Sequence, residues 1–162
     1  MEIRDLYDEN KILTGETVIK GNKIPRGRYY ITVVVWIQNS KEEFLLQKRS
    51  KVKDGKWATT GGHPVSGETS EEGIFTEIKE ELGIDLSKID ITLFKTIKTE
   101  DDFVDIYYLK VDINIEDIKI QKEEVETIKW ASIEEINDMI NKGIFSESHV
   151  SFFKHCLDFL YK

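Results

Sequence analysis

Three glutamates near the middle of the chain, Glu77, Glu80 and Glu81, stand at i, i+3 and i+4. On a helix of 3.6 residues per turn, that spacing brings their carboxylates out close together on one side. Like charges so placed repel by roughly 0.2–0.5 kcal/mol per pair, and a bound cation would reverse the sign. Magnesium suits such a place because it is a hard ion that takes oxygen ligands and commonly bridges one or two carboxylates to substrate phosphates; manganese shares the preference for oxygen. Ile74, Ile78 and Leu82, four apart with Phe75 beside them, form a separate apolar stripe that would seat the helix on a core. A solvated acidic face is the plain alternative for three glutamates on a helix, so the flanking residues decide.

Those flanks resemble the Nudix box: a Gly, five residues, Glu, seven residues, then Arg-Glu-aliphatic-any-Glu-Glu-any-Gly-aliphatic. Gly62, Glu68, Glu77, Ile78, Glu80, Glu81, Gly83 and Ile84 match it, and the box runs over 62–84. The resemblance implies an α/β protein of the Nudix fold, a mixed β-sheet sandwiched between α-helices. It implies a hydrolase that cleaves a diphosphate linkage in a nucleoside diphosphate-X type substrate with metal-activated water. Glu77, Glu80, Glu81 and the carbonyl of Gly61 would hold Mg2+ or Mn2+, and Glu68 would support the site. Glu77 is the first candidate for the base that deprotonates water. Glu123 and Glu124, shortly before Trp130, are candidates outside the box, and Glu124 is a candidate for an added metal ligand. One position departs from the pattern. Thr76 stands where the family has an Arg that orients a catalytic carboxylate by a charge-assisted hydrogen bond. Slower chemistry, a Lys or Arg supplied from elsewhere, and a fold that binds without cleaving are the three consequences open at this point.

The run WATTGGHPVSGE, Trp57 to Glu68, is similar to the corresponding segment of isopentenyl-diphosphate isomerase, a relative with the same fold and different chemistry. That family uses a Cys just before Gly-His-Pro and histidine metal ligands on and before the first strand. Here Gly61 takes the Cys position, Tyr30 falls near the strand His, and no His precedes His63. His63 is therefore expected as a loop residue beside the site. Hydrolase, isomerase and noncatalytic nucleotide-binding relative are the three readings, and the intact glutamates rank the hydrolase first.

The chain carries a net charge of −8, which argues against nucleic-acid partners, since these usually need a basic face to displace counterions. A phosphate-bearing small molecule likewise needs a local reversal of charge. Arg26, Arg28, Lys48, Arg49, Lys51, Lys53 and Lys56 provide one. Arg28 at the start of the first strand and Arg49 at the end of the second are the candidates to reach substrate phosphates. Trp57 is expected to pack, and Trp36 and Trp130 to lie in the core.

The elements that must position these residues can be read in order. Tyr29 to Gln38 is β-branched and aromatic, and after Asn39-Ser40-Lys41 a second strand-like run, Glu43 to Lys48, completes a hairpin. Residues 50–57 read as an exposed loop, and Ala58 to Gly62 as a short strand ending in two glycines. Thr69 with Glu72 three residues on is a capping box, and Gly83 a stop, which predicts a helix over Ser70 to Leu82. Residues 90–99 and 103–113 alternate as two strands joined at Glu100-Asp101-Asp102, and Thr127 to Ala131 is a last one. Ser132 with Glu135 caps a helix to about Asn141, and a final helix covers about Ser148 to Leu160. Strands, helix, strands, helices predict a mixed sheet covered on two sides.

A chain of 162 residues suits a single domain over 1–162. The charged start, Met1 to Asp5, lacks a signal-peptide core, and the longest apolar stretch, Tyr29 to Ile37, is too short to span a bilayer. The expectation is a cytoplasmic protein with no membrane partner, acting on a small-molecule diphosphate, in a family that often forms homodimers. Cys156 is the only cysteine, so no intrachain disulfide is available. Its neighbours Phe152, Phe153, Leu157 and Leu160 suit a buried apolar residue.

Overall fold

The structure, a computed structural model, describes residues 1–162. It opens with β1 (Ile3–Tyr7) and β2 (Leu13–Ile19), an antiparallel pair that forms a sheet of its own. This hairpin has no counterpart in the sequence reading. Most of β2 is exposed, so it lacks the apolar alternation that marks a strand. A long-range contact holds it: Lys11, in the turn, reaches the buried carboxylate of Asp105 with Nζ at 2.7 and 2.9 Å from its two oxygens.

The centre of the larger sheet is β3 (Tyr30–Gln38), whose residues are buried at almost every position. Alternate side chains go to opposite faces, as strand geometry requires. Ile31, Val33, Val35 and Ile37 join one core cluster, while Val34 and Trp36 join the other. A strand buried on both faces reads as a continuous apolar run. It is followed by β4 (Phe44–Arg49), β5 (Trp57–Ala58) and β6 (Thr60–Gly62).

The hairpin expected from β3 and β4 is confined to its tip. The two strands pair only at Gln38 and Phe44 and then part. Below that point β6 takes the β3 edge, with Val34 opposite Gly61, and β4 is bordered by β5 and later by the ninth strand. The expected strand from Ala58 to Gly62 is likewise broken at Thr59, whose N–H is drawn off to His149 Nδ1 at 3.3 Å. The gap left where β3 and β4 separate is where the candidate site forms.

The helix α1 (Ser70–Leu82) has the limits that the capping residues predict. Thr69 and Glu72 make the reciprocal capping box, and Gly83 closes the helix at φ 63°, with its N–H bonded to Lys79 O. Ile74, Ile78 and Leu82 are fully buried against the β3 face. Each contributes about 1.5–3 kcal/mol of apolar burial.

Next, β7 (Ile91–Lys98) runs antiparallel to β8 (Asp102–Lys110), and β8 lies parallel to β3 along its whole length. The ninth strand, β9 (Val125–Ala131), pairs antiparallel with β4. Then α2 (Ile133–Asn141), capped by Ser132 and Glu135 as expected, and α3 (Glu147–Tyr161) cover the opposite face. Ile136, Phe153 and Cys156 are buried there with Val34 and Trp36. Burial pushes the Cys156 thiol up to about 12, which keeps it protonated and unreactive. The result is the α/β arrangement expected, a mixed sheet between helices.

Candidate active site

Where β3 and β4 diverge, a cleft of about 640 Å3 opens, with α1 along one side. Glu77, Glu80 and Glu81 line it, as do Gly61, Gly62 and His63 from the end of β6. Gly62 lets the strand approach the helix closely. A Cβ there would stand 2.2 Å from Glu77 Cδ, so the glycine leaves the space that the carboxylate occupies. Gly61 is equally crowded, since a Cβ would lie 2.7 Å from the carbonyl oxygen of Val33. A cysteine at this position would require the strand to shift.

Electrostatics set the two inner glutamates apart. Burial, reinforced by the charges of Glu81 and Glu80, raises the Glu77 carboxyl to about 8, with the His63 backbone N–H partly opposing. Burial also raises Glu81, to about 7, against the hydrogen bond from Gln47 and the nearby charge of Lys53. Gln47 Nε2 donates to Glu81 Oε1 at 3.1 Å, and Thr60 Oγ1 donates to Gln47 Oε1 at 3.2 Å, so a chain of hydrogen bonds fixes that side chain. Glu80 is exposed at the rim. No Lys or Arg forms an ion pair with any of the three.

These residues fit a divalent ion. A buried carboxylate at Glu81 and a half-buried one at Glu77, which repel each other and form no ion pair, are stabilised when one binds. No three acidic, His or Cys side chains converge on one point as they stand, so an ion would be held by fewer side chains together with backbone oxygen, water or phosphate.

The other expected site residues divide. Arg49 lines the cleft, with Nε 3.5 Å from Asp54 Oδ1. Glu124 lines it from the loop before β9 and is ion-paired with Lys53. Glu123 is exposed and lies outside it. Arg28 is not brought to the cleft: its guanidinium holds Glu16 at 2.8 Å and the Gly27 carbonyl at 3.2 Å. Glu68 does not line the cleft either. One of its oxygens accepts the Val65 N–H at 2.9 Å, and the other accepts the hydroxyl of Thr76 at 2.7 Å.

Several lining residues escaped the sequence reading. Arg4 and Lys20 arrive with the N-terminal hairpin, for which the sequence carries no periodic signal. His149 arrives from α3. Its Nδ1 accepts the Thr59 N–H, and burial together with nearby Arg49 pushes its pKa down to about 4, so the ring is neutral. Gln47 was detectable in principle: an amide in the buried run Phe44-Leu45-Leu46-Gln47 needs a polar partner, and Glu81 is that partner. His63 is the loop residue expected, with Nδ1 3.3 Å from both the Ile31 carbonyl and Thr32 Oγ1. Trp57 is half-buried with Lys129 over its ring, Trp36 is fully buried, and Trp130 donates to the Ile113 carbonyl.

Comparison with known proteins matches residues 28–155 to the NUDIX domain. The chain belongs to the Nudix family. An uncharacterized Nudix hydrolase of Listeria monocytogenes is 34% identical over 150 residues, covering 90% of this chain and 88% of that protein. An isopentenyl-diphosphate Delta-isomerase of Pectobacterium atrosepticum is 28% identical, covering 81% and 76%. Among solved structures, a Deinococcus radiodurans protein superposes with a TM-score of 0.73 at 21% identity, covering 90% of this chain and 92% of that one. At that identity the likeness speaks for the Nudix fold alone. Nudix hydrolases as a family generally use divalent metals, in keeping with the unpaired glutamates of α1. No helix of this Nudix protein is long and apolar enough to cross a membrane.

Proposed function

We propose that this protein is a magnesium-dependent hydrolase that cleaves the phosphoanhydride of a nucleoside diphosphate-X type substrate. The observation that carries the reading is the pair Glu77, half-buried, and Glu81, buried, both lining the cleft and without a Lys or Arg ion pair. These two, with Glu80 and the Gly61 carbonyl, are the groups that would hold the ion. Bound there, the ion supplies Lewis acidity, polarising water and offsetting phosphate charge.

The chain's own residues do the rest. Gln47 holds Glu81 in one orientation, and the glycine at 62 keeps room for Glu77. Glu77 takes the proton from water as the water oxygen bonds to phosphorus and the bridging P–O bond breaks, releasing two phosphate-bearing products. Glu124 is the second candidate for that proton. Arg49 and Lys53, which also line the cleft, bind phosphate oxygens of the substrate.

The isomerase reading is weaker despite the Pectobacterium relative, because Gly61 offers no thiol and the backbone of Val33 leaves no room for one. Incubation of isopentenyl diphosphate with the protein and metal is expected to yield no dimethylallyl product. For the hydrolase, the test is Glu81→Gln assayed over a panel of nucleoside diphosphate derivatives with Mg2+ or Mn2+. The variant should lose metal-dependent release of phosphate or nucleotide. Turnover equal to that of the unaltered protein would overturn the assignment.

A further inference from the structure

A second depression, a trough of about 950 Å3, adjoins the catalytic cleft. Arg4, Lys20 and Tyr30 line both, so the two adjoin. Lys23 and Arg26 add two cations beyond the reach of the cleft. Glu100 and Asp101 are the acids on its wall, which leaves four positive charges against two negative in a chain of net charge −8.

These cations are not occupied by the fold. Lys20, Lys23 and Arg26 form no ion pair within the protein, and Arg4 uses only its Nε, at 2.8 Å from Glu2. The Arg4 guanidinium also lies over the Tyr30 ring, 5.3 Å from its centroid, at the junction of trough and cleft. Turns at Gly21 and Gly27, with φ of 93° and 77°, bracket the segment that carries Lys23 and Arg26. A diphosphate at the glutamates of α1 would be served by the ion, Arg49 and Lys53. Lys23 and Arg26 then lie outside the cleft, where the diphosphate itself does not need them.

We propose that this trough is a second anion subsite, which takes a phosphate group carried by the part of the substrate beyond the scissile diphosphate. The substrate class is accordingly a diphosphate with a further phosphorylated group, such as a phosphorylated ribose. Lysines at the rim supply mobile point charges, and the two arginines supply forks that match phosphate geometry. The substrate side of the proposal rests on the hydrolase reading; phosphate binding in the trough does not.

Two measurements test it separately. Inorganic phosphate is titrated into the full-length protein in the absence of divalent ion while backbone amide resonances are followed. Shifts should centre on residues 20–27 and weaken at high ionic strength. In the Lys23→Ala/Arg26→Ala double variant the apparent Kd should rise about tenfold or more. Both side chains are exposed, so the rest of the variant's spectrum should match the parent. Shifts confined to residues 61–63 and 77–81, or none at all, overturn the subsite. In the second measurement NAD+ and NADP+ are compared as substrates, since they differ by one ribose phosphate. The kcat/KM for NADP+ should exceed that for NAD+ by about tenfold, and the ratio should fall towards one in the double variant. Equal values in the parent protein overturn the substrate assignment. If neither dinucleotide is cleaved, that substrate assignment fails for this pair, and the phosphate titration still decides the subsite.

Discussion

Thr76 Oγ1 donates to Glu68 Oε2 at 2.7 Å, joining the loop before α1 to the second turn of the helix. The other Glu68 oxygen accepts the Val65 N–H, so the carboxylate is held at both ends. Thr76 occupies the position where the Nudix pattern has Arg, and a hydroxyl serves in place of a guanidinium. The clasp has a neutral donor, and it lies immediately before Glu77.

On the proposed hydrolase reading, Glu68 and Thr76 act as positioning residues rather than as groups that touch substrate. Thr76→Val, which keeps the shape and removes the donor, should lower kcat about five- to tenfold with KM little changed, since one neutral-to-charged hydrogen bond is lost. Thr76→Arg should restore or exceed the parent rate through a charge-assisted pair with Glu68. Steady-state kinetics at saturating Mg2+ would decide, and a Thr76→Val enzyme with unaltered kcat would show that the clasp does not position Glu77.

Much of this was legible in the chain, for identifiable reasons. The limits of α1 follow from Thr69, Glu72 and Gly83, which act within one turn of themselves, and the glutamate face follows from helical spacing alone. The partner of Thr76 was not legible, because the Glu68 side chain could have faced either the cleft or the helix. Nor was the separation of β3 from β4, which depends on β6 and β9 competing for their edges. Arg28 shows the same limit in reverse: proximity to β3 in sequence suggested a phosphate ligand, and Glu16, on a strand with no apolar pattern, holds it elsewhere.

The raised carboxyls give a pH signature for the metal-free protein. With Glu77 near 8 and Glu81 near 7, the folded chain retains protons that the unfolded chain has lost above 4.5, so stability falls as pH rises towards 8. His149 acts in the opposite sense. Its folded value near 4 lies below the ordinary 6.5, so its contribution is lost as pH falls through that interval and is complete above it. Between pH 6.5 and 8 the glutamate slope should therefore stand clear. Thermal melts in chelator should show Tm decreasing over this range, and millimolar Mg2+ should raise Tm most at the upper end, where no proton competes for the site. A Tm that is flat in chelator and equally raised by Mg2+ at both ends would contradict the assignment.

The buried carboxylate of Asp105 couples the hairpin to α1. Besides Lys11 it accepts Ser70 Oγ at 2.6 Å, from the first residue of α1, and Thr96 Oγ1 at 2.7 Å, from β7. Lys11→Met leaves this enclosed charge without its cation. The expected loss is about 2–4 kcal/mol, below the figure for a fully enclosed pair because the Lys11 side chain keeps 30% of its exposure. Denaturant unfolding would measure it. Limited proteolysis should show early cleavage within residues 8–28, since the hairpin is the element released, and KM should rise as Arg4 and Lys20 leave the cleft.

Gly62 offers the most local test of the site. Its missing Cβ would fall 2.2 Å from Glu77 Cδ and 2.5 Å from both carboxylate oxygens, so Gly62→Ala must displace that group. The obstacle is the end of a flexible side chain, and the fold can accommodate it by turning Glu77 away. Stability should change by less than about 1 kcal/mol, and the gain from burying less charge partly offsets the strain. Activity should fall about a hundredfold or more, because a carboxylate moved by even 1 Å no longer meets the reacting water. Divalent-ion affinity, read by calorimetry, should weaken with it. Gly61→Ala provides the contrast. Its Cβ would meet the Val33 backbone oxygen at 2.7 Å, so that variant should lose stability as well as activity. A Gly62→Ala protein that keeps both its fold and its parent turnover would remove Glu77 from the chemistry.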